Sequence, residues 1–281
     1  MRIVYLYNPS AKLASDDTEG HIRKGLEALG HEVIMVPEEQ AFNALKIKAD
    51  WLLFHKGGPF IHSLLARLKY KKMCWYFDKI WNSRVDWAER TLPLVDLMIV
   101  TDGDWELIHR SPKVKILHQG CGESMAGQLR KEYKGNIGFT GSIYEGREEW
   151  NDFMQETFDS DFHVYGDVFG GKLFDLCAST RVMVAPEFPS TDYYWSSRVY
   201  LTLGAGGFLI HPRCKDLGHE YVENRHFVAY STRKELVAKV DYYLGHTEER
   251  ERIRRAGMRH TLEHYTYAER VKILMAYVQA N

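Results

Sequence analysis

Short runs of wholly apolar residues recur along this chain and alternate with amphipathic stretches of helical period. Ile3–Tyr7, Trp51–Phe54 and Leu97–Val100 show the pattern. A strand that is apolar on both faces must be covered on both, and the solution open to it is a parallel sheet between two layers of helices. In the first half the reading places strands at Ile3–Tyr7, His31–Pro37, Trp51–His55, Lys72–Asp78, Leu97–Asp102 and Val114–His118. Helices fall near Glu19–Leu29, Phe60–Lys69, Asp86–Leu92 and Asp104–Ile108, and Gly30 stands where a helix terminator belongs.

The apolar pattern lapses over Gly120–Gly135 and then restarts. Strands follow at Ile137–Thr140, Phe162–Tyr165, Val182–Ala185, Gly207–His211 and His226–Tyr230, with helices at Tyr144–Asp159, Lys172–Cys177 and Trp195–Leu203. From Thr232 the chain reads as helical, with Leu236, Val240, Tyr243 and Leu244 on one stripe and a split near Tyr265–Thr266. The expectation is α/β: two doubly wound, Rossmann-like domains facing a cleft, residues 1–125 and residues 126–281. Ligands of such sheets bind beyond the carboxyl ends of the strands.

Composition excludes other classes. With 45% apolar and 27% charged residues the chain can bury a core, which disordered chains cannot. Thirty-seven basic and 38 acidic side chains leave a net charge of -1, so no chain-wide attraction to nucleic acid exists. No apolar run reaches the ~20 residues of a membrane helix. The first residues, MRIVYLYNPS, lack the pattern of a signal peptide. Cys74, Cys121, Cys177 and Cys214 stand far apart without a CxxC pair, as expected of reduced thiols in a cytoplasmic protein.

Several fragments carry candidate chemistry. Gly141-Ser142 follows a strand, where backbone amides and a hydroxyl can meet an anion or simply make a tight turn. Arg198, after Ser196-Ser197, can grip a phosphate or pair with a carboxylate. The glycines at 204, 206 and 207 do not form GxGxxG and suit close helix–strand packing. Asp102-Gly103-Asp104 spells DxD, but Asp104 serves equally as a helix cap, and chance supplies a second match at Asp159 and Asp161. His260 and His264 lack the HExxH context of a zinc site. Asp78 ends an aromatic strand, where a carboxylate can act as a general base or cap a helix; His55, His118 and Glu187 end strands in the same way.

Together the fragments resemble two-domain glycosyltransferases of the GT-B kind, and most closely their spore-maturation CgeB-like group. The first half carries LGHEV (Leu29–Val33), WYFD (Trp75–Asp78) and HQGCGE (His118–Glu123). The second carries IGFTGSIYEGREEW (Ile137–Trp150), VYGD (Val164–Asp167), SSRVYLTLGAGGFLI (Ser196–Ile210) and AGMRHTLEHYTYAER (Ala256–Arg270). The resemblance implies a nucleotide-diphosphate sugar held by the C-terminal domain, an acceptor on the N-terminal domain, and neither a cofactor nor an obligatory metal. It implies that Gly141 and Ser142 face the diphosphate, that Tyr165 and Gly166 lie near the base, and that Arg198 holds phosphate or ribose, with Ser197 and Glu187 also on the donor side. The family's usual glutamate three residues after that arginine is here Leu201.

The expected reaction is metal-independent transfer of a sugar to an acceptor hydroxyl, with Arg198 stabilising the leaving diphosphate and Asp78 as base if the reaction inverts. The acceptor is open: glycan, small molecule, protein or modified DNA base. A phage-type DNA glycosyltransferase would use Lys56, Arg67, Lys69, Lys71 and Lys72 as its footprint. Leu201 also prompts a catalytically inactive nucleotide-binding or scaffold relative. An epimerase or phosphorylase is the third reading.

Overall fold

The computed structural model describes residues 1–9, 18–123, 127–129, 135–144, 146–166, 168–186, 188 and 191–281. It divides into two compact units, Met1–Gln119 with Tyr267–Asn281, and Gly120–Thr266.

The first unit holds six parallel strands, β1 (Arg2–Tyr7), β2 (Glu32–Pro37), β3 (Trp51–Phe54), β4 (Lys71–Tyr76), β5 (Leu97–Val100) and β6 (Val114–Ile116), in the order β2-β1-β3-β4-β5-β6. The fully apolar strands β3 and β5 are buried at every residue. One face packs Leu52, Phe54, Cys74 and Met98 against Ile61, Leu64 and Leu65 of the Ile61–Arg67 helix. The other packs Tyr5, Leu53, Trp75 and Ile99 against Ile22, Leu26, Val271 and Leu274. Burial of this two-sided kind is what the apolar runs require.

The last helix, Tyr267–Gln279, therefore belongs to the first unit, whereas the sequence reading placed the whole tail with residues 126–281. Its Val271 lies 3.2 Å from where a Cβ on Gly25 would stand, so a glycine lets helix Thr18–Ala28 approach closely. Arg270 Nε donates to the Gln119 carbonyl at 3.0 Å and the Tyr277 hydroxyl to that of Ile116 at 3.1 Å. Sequence order gave no hint that the chain returns.

The second unit holds β7 (Ile137–Thr140), β8 (Phe162–Tyr165), β9 (Val182–Val184), β10 (Leu209–Pro212) and β11 (Val228–Tyr230), all parallel, in the order β11-β10-β9-β7-β8. Both sheets reverse their winding between the first and third strand of the set, at β1/β3 and at β7/β9, which is where a doubly wound sheet opens a crevice. Gly207 fits the close-packing expectation: a Cβ there would stand 2.8 Å from Thr202 Cγ2 and 3.0 Å from the Cys177 carbonyl oxygen. All four cysteines are free and buried.

Candidate functional site

At the carboxyl end of β7, beside its switch point with β9, two guanidinium groups converge on one ring. Arg198 stands 5.5 Å from the centre of Phe139 and Arg147 5.7 Å. Arg198 opens the Arg198–Gly204 helix and turns back to the sheet: its Nε donates to the Thr140 carbonyl at 2.7 Å and its Nη1 to Ser196 Oγ at 2.6 Å. The turn before it is pinned by Trp195 Nε1, which donates to the Tyr200 hydroxyl at 3.0 Å; that hydroxyl donates in turn to Glu220 at 2.5 Å. Arg147 is buried. Its Nε donates to the Phe188 carbonyl and its Nη1 to that of Ser142, each at 2.9 Å, and it lies 4.2 Å over Tyr144.

Among the described residues neither arginine meets a carboxylate; their hydrogen bonds end on carbonyls and one hydroxyl. Burial, and then the neighbouring Arg198 charge, lower the Arg147 pKa to about 10. Burial lowers Arg198 also, partly offset by the Tyr194 and Tyr144 hydroxyls. Two desolvated cations without a counter-charge are costly in an empty protein and favourable around a dianion. Chemically, such a pair can take up the charge of a phosphate.

Gly141 sits between strand and arginine with φ of 135°, and a Cβ there would stand 3.1 Å from Arg198 Nε and Nη2. Its amide, however, donates to the Tyr165 carbonyl at 3.2 Å, extending the β7–β8 ladder by one residue. That donor, expected to face an anion, is consumed by the sheet. Ser142 is exposed, as is Gly166, where nothing lies within 4 Å of a notional Cβ. Tyr165 ends β8 opposite Thr140 and is partly buried. Ser197 precedes the Arg198 helix and makes no capping bond through its side chain. Leu201 packs against the apolar cluster around Tyr200 and Leu203. Glu187 and Asp167 lie outside the described residues, as do parts of the Asn8–Asp17 loop and the Gly120–Gly135 connection.

Sequence reasoning passed over two residues here. Arg147 lies in the stretch quoted for its resemblance, five residues after Ser142, but its sequence neighbours Glu145, Glu148 and Glu149 gave no signal of burial. His211, at the end of β10, is buried; its Nδ1–H donates to the Pro212 carbonyl at 2.7 Å, which makes Nε2 the acceptor. Burial, helped by the Arg198 charge, brings its pKa down to about 4, so it is neutral.

In the first unit the strand-end candidates separate. His55 is structural: its Nδ1–H donates to the Trp75 carbonyl at 2.8 Å, so Nε2 accepts from the Tyr5 hydroxyl at 2.5 Å. Burial lowers its pKa to about 4. Asp78 is half exposed, 3.9 Å from Lys56 and 3.8 Å from Arg84. His118 is buried, its pKa brought down to about 3 by burial and then by Arg270. Asp102 caps the helix after β5 by accepting from the Asp104 amide at 3.2 Å, and also accepts from the Ile80 amide at 2.8 Å. Lys79 lies 3.6 Å from Asp102 and 2.7 Å from Asp104, so the DxD carboxylates are engaged by a cation of the chain itself. In the second unit, His260 Nε2–H donates to the Glu220 carbonyl at 2.8 Å and its ring stacks on His226 at 4.1 Å.

Comparisons with known proteins agree with this architecture. A family model described as glycosyl transferase-like matches residues 123–276, more than half of the chain. No curated protein matches. Among solved structures, HepE of Anabaena in complex with UDP-glucose superposes with a TM-score of 0.69 at 8% identity, covering 100% of both chains. The sucrose-phosphate synthase of Thermosynechococcus elongatus gives 0.69 at 11%, covering 100% of this chain and 99% of that one. An alpha-glucosyltransferase solved with UDP and a 13-mer DNA containing a HMU base gives 0.69 at 11%, covering 99% of each. These likenesses establish the fold.

Proposed function

The chain belongs to the glycosyl transferase-like family, and from that premise we propose that it moves a hexosyl or pentosyl group from a nucleotide-diphosphate sugar to an acceptor hydroxyl. The observation that carries this reading is the pair Arg147 and Arg198 at the switch point, each desolvated and without a carboxylate among the described residues. HepE is solved with UDP-glucose, a nucleotide sugar of this class, and the alpha-glucosyltransferase with UDP, the nucleotide part of one, which supports this reading. The relationship is to the CgeB-like group, and the place of action is the cytoplasm.

The acceptor oxygen forms a bond to the anomeric carbon as the bond from that carbon to the β-phosphate oxygen breaks, and the electron pair leaves with the diphosphate. Arg147 and Arg198 meet the charge gathering there; because they are held by carbonyls beforehand, little reorganisation is needed during the reaction. They supply the positive charge that a divalent ion would otherwise bring, so transfer proceeds without metal. Ser142 adds its exposed hydroxyl and amide. Tyr165, Gly166 and Ser197 flank the nucleoside, and Leu201 offers its ribose an alkyl contact in place of a carboxylate. In an inverting reaction Asp78 takes the acceptor proton.

Thermal melting of the full chain with UDP, GDP, ADP and their sugars tests this. A ligand of 10 μM affinity at 1 mM stabilises by about 2.7 kcal/mol, a readily measured rise. No rise with any diphosphate, or an equal rise in an Arg147→Ala, Arg198→Ala double variant, overturns the assignment of the site.

A further inference from the structure

The other end of the first sheet carries a feature that sugar transfer does not use. Where the chain enters β3 and β4, a groove of about 490 Å³ is floored by Leu45, Ile47 and Leu68 and rimmed by Lys48, Arg67 and Lys69. These segments lead into the amino ends of their strands, opposite the carboxyl ends where a parallel sheet binds its substrates. Tyr70 fixes the floor by donating to the Ala44 carbonyl at 3.0 Å. Beside it Phe42 is 40% exposed, and the Arg67 guanidinium lies 5.5 Å over its ring. Lys46, Lys48, Arg67 and Lys69 are all exposed, and none pairs with a carboxylate among the described residues. The nearby Asp50 instead accepts the Arg2 amide at 2.7 Å.

We propose that this groove docks the protein peripherally on an anionic lipid bilayer, with lipid phosphates on the cationic rim and Phe42 and Ile47 at the acyl boundary. The juxtaposition selects this partner. A nucleic-acid backbone would satisfy the cations but leave the apolar floor wet, whereas a bilayer surface offers negative charge and an apolar layer within one side-chain length. Long cationic side chains lying over apolar groups, as Arg67 does over Phe42, suit that boundary. A net charge of -1 means that attraction must come from the local cluster. No helix among the described residues is long and apolar enough to cross a membrane, so the contact is with a surface.

Co-sedimentation of the full chain with phosphatidylcholine vesicles, with and without phosphatidylglycerol, tests the proposal. Binding is expected only with the anionic lipid, falling steeply with salt. At roughly fivefold per charge near the surface, the triple variant Lys48→Glu, Arg67→Glu, Lys69→Glu loses binding at least about a hundredfold. Ile47→Ser weakens it at unchanged charge. Lys234→Glu, Arg255→Glu, Arg259→Glu, which alters net charge equally on the second unit, leaves it intact. Circular-dichroism melting checks that each variant is folded. Absence of binding to anionic vesicles, an equal loss in both triple variants, or release of bound protein by inorganic phosphate or duplex DNA beyond that caused by sodium chloride of equal ionic strength overturns the proposal.

Discussion

Replacing Arg198 by alanine separates what this side chain does for the fold from what it does for the reaction. In the folded chain it donates to the Thr140 carbonyl and to Ser196 Oγ. Leaving one buried acceptor unpaired costs about 1–3 kcal/mol. Against this stands relief of repulsion. Since Arg198 and Arg147 lie 5.5 and 5.7 Å from one ring centre, their charges are no more than about 11 Å apart, worth at least ~1.5 kcal/mol at an effective dielectric of 20. The two effects nearly cancel, so stability without ligand is expected to change by less than about 1.5 kcal/mol. The transition state has no such compensation: loss of one fixed donor to the leaving group costs about 2.7–4 kcal/mol, a fall of about 100- to 1000-fold in turnover. Transfer is followed by UDP release and stability by melting with and without UDP. A variant that melts like the wild type and has lost both transfer and UDP-induced stabilisation fits the reasoning. Wild-type transfer refutes it, and so does a loss of activity explained by unfolding.

Other expectations follow from the same geometry. Gly141→Ala forces a side chain into positive φ, at about 1–3 kcal/mol, and pushes against Arg198 at 3.1 Å; UDP binding should weaken at least tenfold, as read by calorimetry, while Gly245→Ala, with open space around it and far along the chain from the site residues, should not weaken it. Asp78→Asn removes a half-exposed carboxylate whose ion pairs are 3.8–3.9 Å long, so melting should move little, within about 0.5 kcal/mol. Its transfer rate should fall by about 10²–10⁴ with UDP affinity kept; an unchanged rate removes Asp78 from the chemistry. His55 and His211 have folded pKa values of about 4, below the unfolded value near 6.5. Between those values the unfolded chain binds more protons. Stability is therefore fully present above pH 6.5 and is lost as pH falls toward 4, by about 2 kcal/mol per histidine at pH 5. Urea unfolding at pH 7.5 and 5 checks this, and His55→Gln and His211→Gln should each flatten the slope.

How far the site was legible depends on the kind of signal each residue carries. Arg198 stood out because a cation next to a serine pair and ahead of a glycine-rich turn is locally unusual. Arg147 did not: an arginine among Glu145, Glu148 and Glu149 reads as a solvated face, and only burial beneath Tyr144 and Phe139 distinguishes it. The Gly141 amide looked available because a sequence cannot show that Tyr165 already takes its proton. His55 looked functional by position alone and Asp102 by its DxD spacing, and their hydrogen bonds make them structural. The helix expected at Trp195–Leu203 runs Arg198–Gly204, because the preceding residues form the turn that sends Arg198 back to the sheet.

The sequence by itself determined two parallel sheets, since wholly apolar strands have no stable place except between helical layers. It also located the glycine turns, which act within a few residues of themselves, and a helix start after β5, although the cap expected on Asp104 is Asp102. Only the tertiary structure decided that the last helix closes the first unit, that two arginines 51 positions apart share Phe139, and that the basic groove lies at the amino ends of the first sheet. Local patterns fix local geometry through short-range sterics and hydrogen bonds, whereas burial and charge pairing are settled by whichever distant segment arrives to share the space.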